Sequence, residues 1–256
     1  MRTALNRRQG LITLCAAALG AGSANAAKAA SARRYAVVSL LGDQITLVYA
    51  AAVTGSNLDR NRHRELPDST GSLDSAALVA TGRAIEQAQR GARVSLLAVP
   101  PSPAHKQGER FVQGSEISLP DGLVTALDKA AATHVVLLTK LRAPAHIQLV
   151  DSAVGVGQLQ GLGYYVDRNI GIRTVETGNT GDGMLVAYAY VQLTLADAST
   201  GQVLRRQAVR ATQVHPVAAK PEVSDPWDLL DAPQKAERLR RLLEQQLARA
   251  IPTLIS

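Results

Sequence analysis

Two stretches of this chain, residues 35–41 (Tyr-Ala-Val-Val-Ser-Leu-Leu) and 134–139 (His-Val-Val-Leu-Leu-Thr), are apolar almost without a break and are too short for helices. A run of that length and texture reads as a β-strand covered on both faces, because a strand with one wet face alternates. Covered strands sit inside a sheet and are joined by helices that cross over it.

The sequence between and around them supplies such helices. Gly42-Asp43 breaks the first run and residues 44–50 read as another strand, either as a hairpin with the first or as one long strand bulged at Gly42. Residues 54–71 read as a long polar loop. Asp74 is placed to cap a helix over 75–89, with Ala77, Leu78, Thr81, Ala84, Ile85 and Ala88 on one face and Gly91 to end it. Residues 93–99 form the next strand, closed by Pro100-Pro101, and 103–116 read as irregular. Pro120-Asp121-Gly122 opens a second helix to about residue 132. Residues 145–150 extend or follow the strand at 134–139.

The later part changes character. Over 186–195 Tyr188, Tyr190, Gln192 and Thr194 alternate with Ala187, Ala189, Val191, Leu193 and Leu195. Asp197-Ala198-Ser199-Thr200-Gly201 is turn chemistry and 203–212 returns, which predicts an antiparallel hairpin with one wet face. Residues 213–228 read as a Pro-rich linker. A last helix, 231–251, starts at Asp231 with Gln234 completing a capping box. Its stripe is Ala236, Leu239, Leu243, Leu247 and Ala250, widened by Leu230 and Leu242, the width of a helix packed on a globular core. The expected fold is α/β, bordering on α+β. It is a single mixed β-sheet with two or three packed helices, a late antiparallel hairpin and a C-terminal helix, all in one domain over 34–256.

The N-terminus reads as an export signal. Arg2, Arg7 and Arg8 precede a short apolar run, and Ala24-Asn25-Ala26 is a small-x-small cleavage site. Cleavage after residue 26 leaves a flexible start, 27–33, and a periplasmic protein with no transmembrane segment. Arg7-Arg8 suits an ordinary positive n-region, because the aromatic and lysine of a twin-arginine signal are missing. Cys15, the one cysteine, lies in the apolar run behind a bulky Leu14, which argues against lipidation; the mature chain then has no thiol for a disulfide, a metal or a nucleophile. The formal charge of +7 falls to +4 without the three signal arginines, and aromatic residues make up only 3% of the chain. Neither figure suits a nucleic-acid platform. Mild attraction to anionic envelope surfaces fits better.

Residues with chemical potential are scattered. Gly42-Asp43-Gln44-Ile45-Thr46 resembles the first block of the SGNH esterase/lipase family, but Gln44 stands where that family has its nucleophilic serine. Neither Asp225 nor Asp228 has a histidine three residues on, as the family's late motif requires. The glycines at 155, 157, 161 and 163 fit neither a dinucleotide nor a phosphate-loop fingerprint and read as a flexible hairpin tip or surface flap. His63, His105, His134, His146 and His215 lack zinc-site spacing, so no metal and no cofactor are expected. Asp43, Asp59 and Asp167 are loop carboxylates on which a hydrolase site could be built.

One resemblance is broader. The leading strand, a helix, Ala131-Ala132-Thr133-His134-Val135-Val136-Leu137-Leu138 and the late Val191–Leu204 segment with its Asp197-Ala198-Ser199-Thr200-Gly201 turn are similar to the envelope α/β domains of the curli-secretion (CsgG-like) and TolB N-terminal type. This chain lacks the aspartate of the family's Ala-Asp strand entry. The resemblance implies non-enzymatic assembly or accessory roles at the bacterial envelope and brings no catalytic residue. The leading expectation is therefore an exported accessory protein that binds another envelope component. Its expected contact surfaces are Tyr188 and Tyr190 on the hairpin, and the glycine-rich excursion 155–183 with Tyr164 and Tyr165. A periplasmic hydrolase on the loop carboxylates, or a small-ligand carrier with a deep apolar cavity, are the alternatives.

Overall fold

The computed structural model of the chain describes residues 33–42, 44–51, 59–67, 72–100, 105, 108–173, 178–219 and 222–256. The export signal expected at 1–26 and the candidate Asp43 lie outside them. In chain order the strands are β1 (Arg34–Ser39), β2 (Gln44–Tyr49), β3 (Arg62–Pro67), β4 (Arg93–Leu97), β5 (Val112–Gln113), β6 (Glu116–Ile117), β7 (His134–Lys140), β8 (Arg142–Pro144), β9 (Ile147–Gln148), β10 (Ala153–Val154), β11 (Gln158–Arg173), β12 (Thr180–Asp197) and β13 (Val203–Pro216). The helices are α1 (Leu73–Ala88), α2 (Asp121–Lys129) and α3 (Ala232–Ile255). Residues 32–256 make one unit. The expected mixed sheet with packed helices is present, and it is rich in strand.

A long hairpin, β12–β13, is the spine. β13 pairs with β12 over 184–196 and so occupies one edge of it. β11 and β7 must then share the other edge end to end, β11 along 180–190 and β7 along 191–197. β1 runs parallel to β7, and β2 runs parallel to β11. β1 and β2 are thus two lengths of one interrupted strand, not a hairpin, with Gly42 in the left-handed region (φ +72) at the break. β4 lies parallel outside β1, and β3 antiparallel outside β2. The sheet therefore forks along its spine. At the fork Leu141 N–H donates to Tyr190 O (3.0 Å) and Gly161 N–H to Leu141 O (3.3 Å).

Several expectations change. The stretch read as a glycine-rich flap is mostly β11, an interior strand. The hairpin has no wet face on β12, whose residues 183–191 are all buried, because both sides of the sheet are covered. Part of the expected loop at 54–71 is β3, and the expected linker begins as strand up to Pro216. α2 stops at Lys129, and Ala131 follows with φ 47. Ser72, not Asp74, is the N-cap of α1.

On the near face α1 and α3, together with Val217, Trp227 and Leu229, pack over the sheet. Leu239, Leu243, Leu247, Ile251 and Leu254 of α3 are fully buried there, and each such side chain contributes about 1.5–3 kcal/mol before entropy. The expected capping box closes the start of α3: Asp231 accepts from Gln234 N–H (2.7 Å) and Gln234 from Asp231 N–H (3.1 Å). At its end Arg33 and Gln89 donate to Ile255 O (3.2 and 2.9 Å) and Arg205 to Thr253 O (2.6 Å), satisfying carbonyls the helix leaves open. The far face has two separate covers. α2 with residues 111–119 lies over β1 and β7, around Val38, Val135 and Leu137. Residues 141–154 lie over β11 and β12, around Tyr165, Tyr188 and Tyr190.

Candidate functional site

The two far-face covers belong to separate apolar clusters, and an opening between their described residues lies over the fork. It is a cleft of about 220 Å³ lined by Glu109, Val112, Thr139, Lys140, Leu141, Arg142, Gln192 and Arg206. Its floor is sheet: Thr139 and Gln192 face each other across β7 and β12. Arg206 enters from β13, across from Thr194. Lys140 and Arg142 stand where the chain leaves β7, and Glu109 comes from the opposite cover. Gln160 Nε2 donates to Glu109 (3.0 Å), and the Arg206 guanidinium donates to Gly114 O, so both rims are tied back to structure. Among the described residues of the lining three side chains are cationic and one is a carboxylate, which makes the local potential positive. Its residues come from separate segments, around 109–112, 139–142, 192 and 206. Only the local arginine density at 205–210 was a signal for any of them in the sequence.

The four tyrosines expected at a contact surface are all fully buried. Tyr164 donates to Lys235 O (2.6 Å) beneath α3 and packs edge-on against Trp227. Tyr188 donates to Thr46 O (3.1 Å). Tyr190 accepts from His146 N–H (3.1 Å) and Tyr165 from Val156 N–H (3.2 Å), which ties the 142–157 cover to the sheet. Burial raises the pKa of all four phenols, that of Tyr165 to about 12. A side chain with no exposed surface offers none to a partner, so these residues are core. Doubly covered strands place a tyrosine hydroxyl under a cover as readily as at a surface.

The carboxylates do structural work. Asp59 accepts from Asn61 N–H and Gln158 N–H (both 3.1 Å) and lies 3.4 Å from His63 Nε2, while Asn61 donates to Val156 O (2.6 Å). This lock fastens the end of the far cover to the region before β3. Asp167 accepts from Asn169 N–H (2.9 Å) at an irregularity of β11. A further polar cluster gathers at the β1–β2 break. Buried Asp74 accepts from Ser39 Oγ (2.5 Å), Leu41 N–H (3.2 Å) and Gly42 N–H (3.1 Å), with His105 Nε2 4.0 Å away. A nucleophilic serine donates to a histidine; Ser39 donates to the carboxylate and is fully buried. This cluster braces the broken strand against α1. Among the described residues no group of three His, Cys, Asp or Glu is placed to hold a metal ion.

One apolar pocket, of about 200 Å³, lies between β2, β3 and α3, lined by residues including Ile45, Leu66, Leu73, Trp227 and Lys235. The Lys235 ammonium sits 3.9 Å from the centre of the Trp227 ring and donates to Leu230 O. The pocket is smaller than the roughly 300–1,000 Å³ of ordinary small-molecule sites. Among the described residues no helix is long and apolar enough to cross a membrane.

No protein-family model matches this sequence, and no curated protein does. The similarity to solved structures is low. A Helicobacter pylori protein described as a neuraminyllactose-binding hemagglutinin homolog is 7% identical, with a TM-score of 0.42 over 88% of this chain and 87% of its own. A Xanthomonas campestris protein of the DUF330 family is 8% identical, with a TM-score of 0.36 over 87% and 84%. The PelC dodecamer subunit from Paraburkholderia phytofirmans is 11% identical, with a TM-score of 0.29 over 87% and 86%. Likeness at this level carries no argument about function.

Proposed function

We propose that this chain is an exported, non-catalytic accessory protein of the bacterial cell envelope that binds another envelope component, and that the cleft at the fork holds an anionic group of that component. The observation that carries the reading is the cleft's lining, in which Arg142, Arg206 and Lys140 are cationic and Glu109 is acidic among the described residues, on a floor of two paired strands. The signal-like N-terminus supports export to the periplasm, and the resemblance to curli-secretion and TolB N-terminal-type domains implies an assembly or accessory role. The loop carboxylates favour no hydrolase, because Asp59 and Asp167 already hold local backbone N–H groups.

The test is in-cell crosslinking and affinity capture of the tagged, exported protein, read by mass spectrometry, beside Lys140→Glu with Arg142→Glu. The expected result is one dominant envelope partner, reduced at least about tenfold by the double reversal, as for buried charge contacts at interfaces. Equal capture by both proteins overturns the reading. Cell fractionation with intact-mass measurement checks export: the periplasmic species is expected to start at residue 27.

A further inference from the structure

β13 borders the sheet. β12 pairs with one side of it; on the other side Val203 N–H donates to Ser115 O (2.7 Å) and Gln202 bridges Glu116, and beyond Val203 no strand pairs with it among the described residues. Every second residue of such an edge turns its N–H and C=O outward without a strand partner. Along 204–210 the edge is also open to solvent, with Leu204, Arg205, Arg206, Ala208 and Arg210 exposed. Seven residues span roughly 20 Å, the length of one ordinary strand.

The side chains on this edge sort cleanly by face. Val209 and Ala211 belong to the near-face core, so Arg206, Ala208 and Arg210 lie on the far face, while Leu204, at an irregularity of the β12–β13 pairing, lines a pocket with Leu195, Arg205 and Ile255. Arg205 is held on the near side by Thr253 O and Ser256 Oγ. The far-face strip therefore carries two guanidinium groups four residues apart, about 13 Å along the strand, and no acid. Arg206 gives one contact to Gly114 O, and a guanidinium has five N–H donors. The strip is continuous with the cleft through Arg206.

We infer that the 204–210 edge of β13 takes an extended segment of the protein partner as an added strand, one that carries two acidic side chains four residues apart to meet Arg206 and Arg210. This deepens the proposed function and shares with it the premise of a protein partner and one side chain, Arg206. Main-chain bonds supply the affinity and the alternate side chains the selectivity. Added parallel or antiparallel, a strand keeps its period of two, so the four-residue spacing holds either way. A second copy of this chain is the poorer occupant, because antiparallel pairing centred on Ala208 sets Arg206 directly across from Arg210.

The experiment uses the intact protein and two labelled eleven-residue peptides of identical composition in a Thr/Val background, read by fluorescence anisotropy. One carries Glu at i and i+4, on one face; the other carries Glu at i and i+3, on opposite faces. The first is expected to bind about fivefold more tightly or better. In Arg206→Glu with Arg210→Glu, both exposed changes, a peptide with Lys at i and i+4 is expected to be preferred instead. Equal binding of the two Glu peptides, or binding of neither, overturns the inference, as do dimers in sedimentation that the double variant dissociates. If Lys140→Glu with Arg142→Glu abolishes partner capture while the peptides show no register preference, the cleft stands and the added strand falls. Register preference with unimpaired capture gives the reverse.

Discussion

On the near face of β12, Ala187, Ala189, Val191, Leu193 and Leu195 join one apolar core with α1 and α3. One residue over, on the far face, Tyr188 and Tyr190 belong to a smaller core under residues 141–154, Gln192 lines the cleft, and Thr194 has a buried hydroxyl with no partner among the described residues. The same strand thus faces a continuous cover on one side and an interrupted one on the other. Helices lie flat across a sheet and seal it by shape. The far covers are one short helix with its leading segment and one strap of short strands, each packed on its own apolar cluster, and charged side chains line the cleft between them. The accessible chemistry of this fold is therefore expected where the covering ends.

The contrast is open to a severe test at Gly163. It faces Tyr188 on one side and Thr46 on the other, and a Cβ there would stand 1.9 Å from Thr46 O and 2.7 Å from the Tyr188 hydroxyl. Gly163→Ala is expected to destabilise the protein by about 3–5 kcal/mol in urea denaturation, because a backbone oxygen cannot move aside as a flexible side chain can. Gly122→Ala, in α2 with nothing near its Cβ, serves as the control and is expected to gain about 0.5–1 kcal/mol from helix propensity. If Gly163→Ala is as stable as the parent, the far straps are loose and the comparison collapses.

Gly163 also shows what a sequence conceals. The apolar runs that became β1 and β7, the stripe and capping box of α3, and the Asp197 turn were all legible, because each depends on neighbours within a few residues. Asp197 does accept from Ser199 and Thr200 N–H (both 2.9 Å). The glycines at 161 and 163 were misread as a flap, because glycine in a strand and glycine in a loop look alike until the partner strand is known. Here they stand across from Tyr190 and Tyr188, small against large, and only the β11–β12 register makes that visible. The cleft was illegible for the same reason: Thr139 and Gln192 are distant in sequence and neighbours only across paired strands.

The near face carries its own weak point. His215 lies on β13 toward Arg238, and its buried Nε2 has no partner among the described residues. Burial, with that arginine second, lowers its pKa from the ordinary 6.5 to about 4. The folded state then binds fewer protons than the unfolded one between those values, so stability is complete above about pH 6.5 and falls as the pH drops toward 4. The ring is partly open to solvent, so the loss is set at on the order of 1–2 kcal/mol. His134, lowered chiefly by burial, adds in the same direction. Asp197, held down to about 2 by its turn, loses its contribution only in a lower window. Denaturation midpoints from pH 7 to 4 check this: His215→Gln is expected to flatten the slope, and an unchanged slope removes the histidine from the account.

The finest distinction between the faces lies in two hydroxyls. Tyr188→Phe and Tyr164→Phe each delete one buried donor to a carbonyl, Thr46 O on the far face and Lys235 O on the near face. Each is expected to cost about 1 kcal/mol, since both acceptors belong to regular structure and keep a second route to a donor. What separates them is coupling to Gly163. The Tyr188 hydroxyl occupies part of the space an alanine there would need, whereas the Tyr164 side chain belongs to the near-face core. In double-mutant cycles Tyr188→Phe should relieve about 0.5–1 kcal/mol of the Gly163→Ala penalty, while Tyr164→Phe should add to it without interaction. Equal coupling for both tyrosines would mean that the penalty spreads through the whole sheet, and that the two faces respond as one packed body.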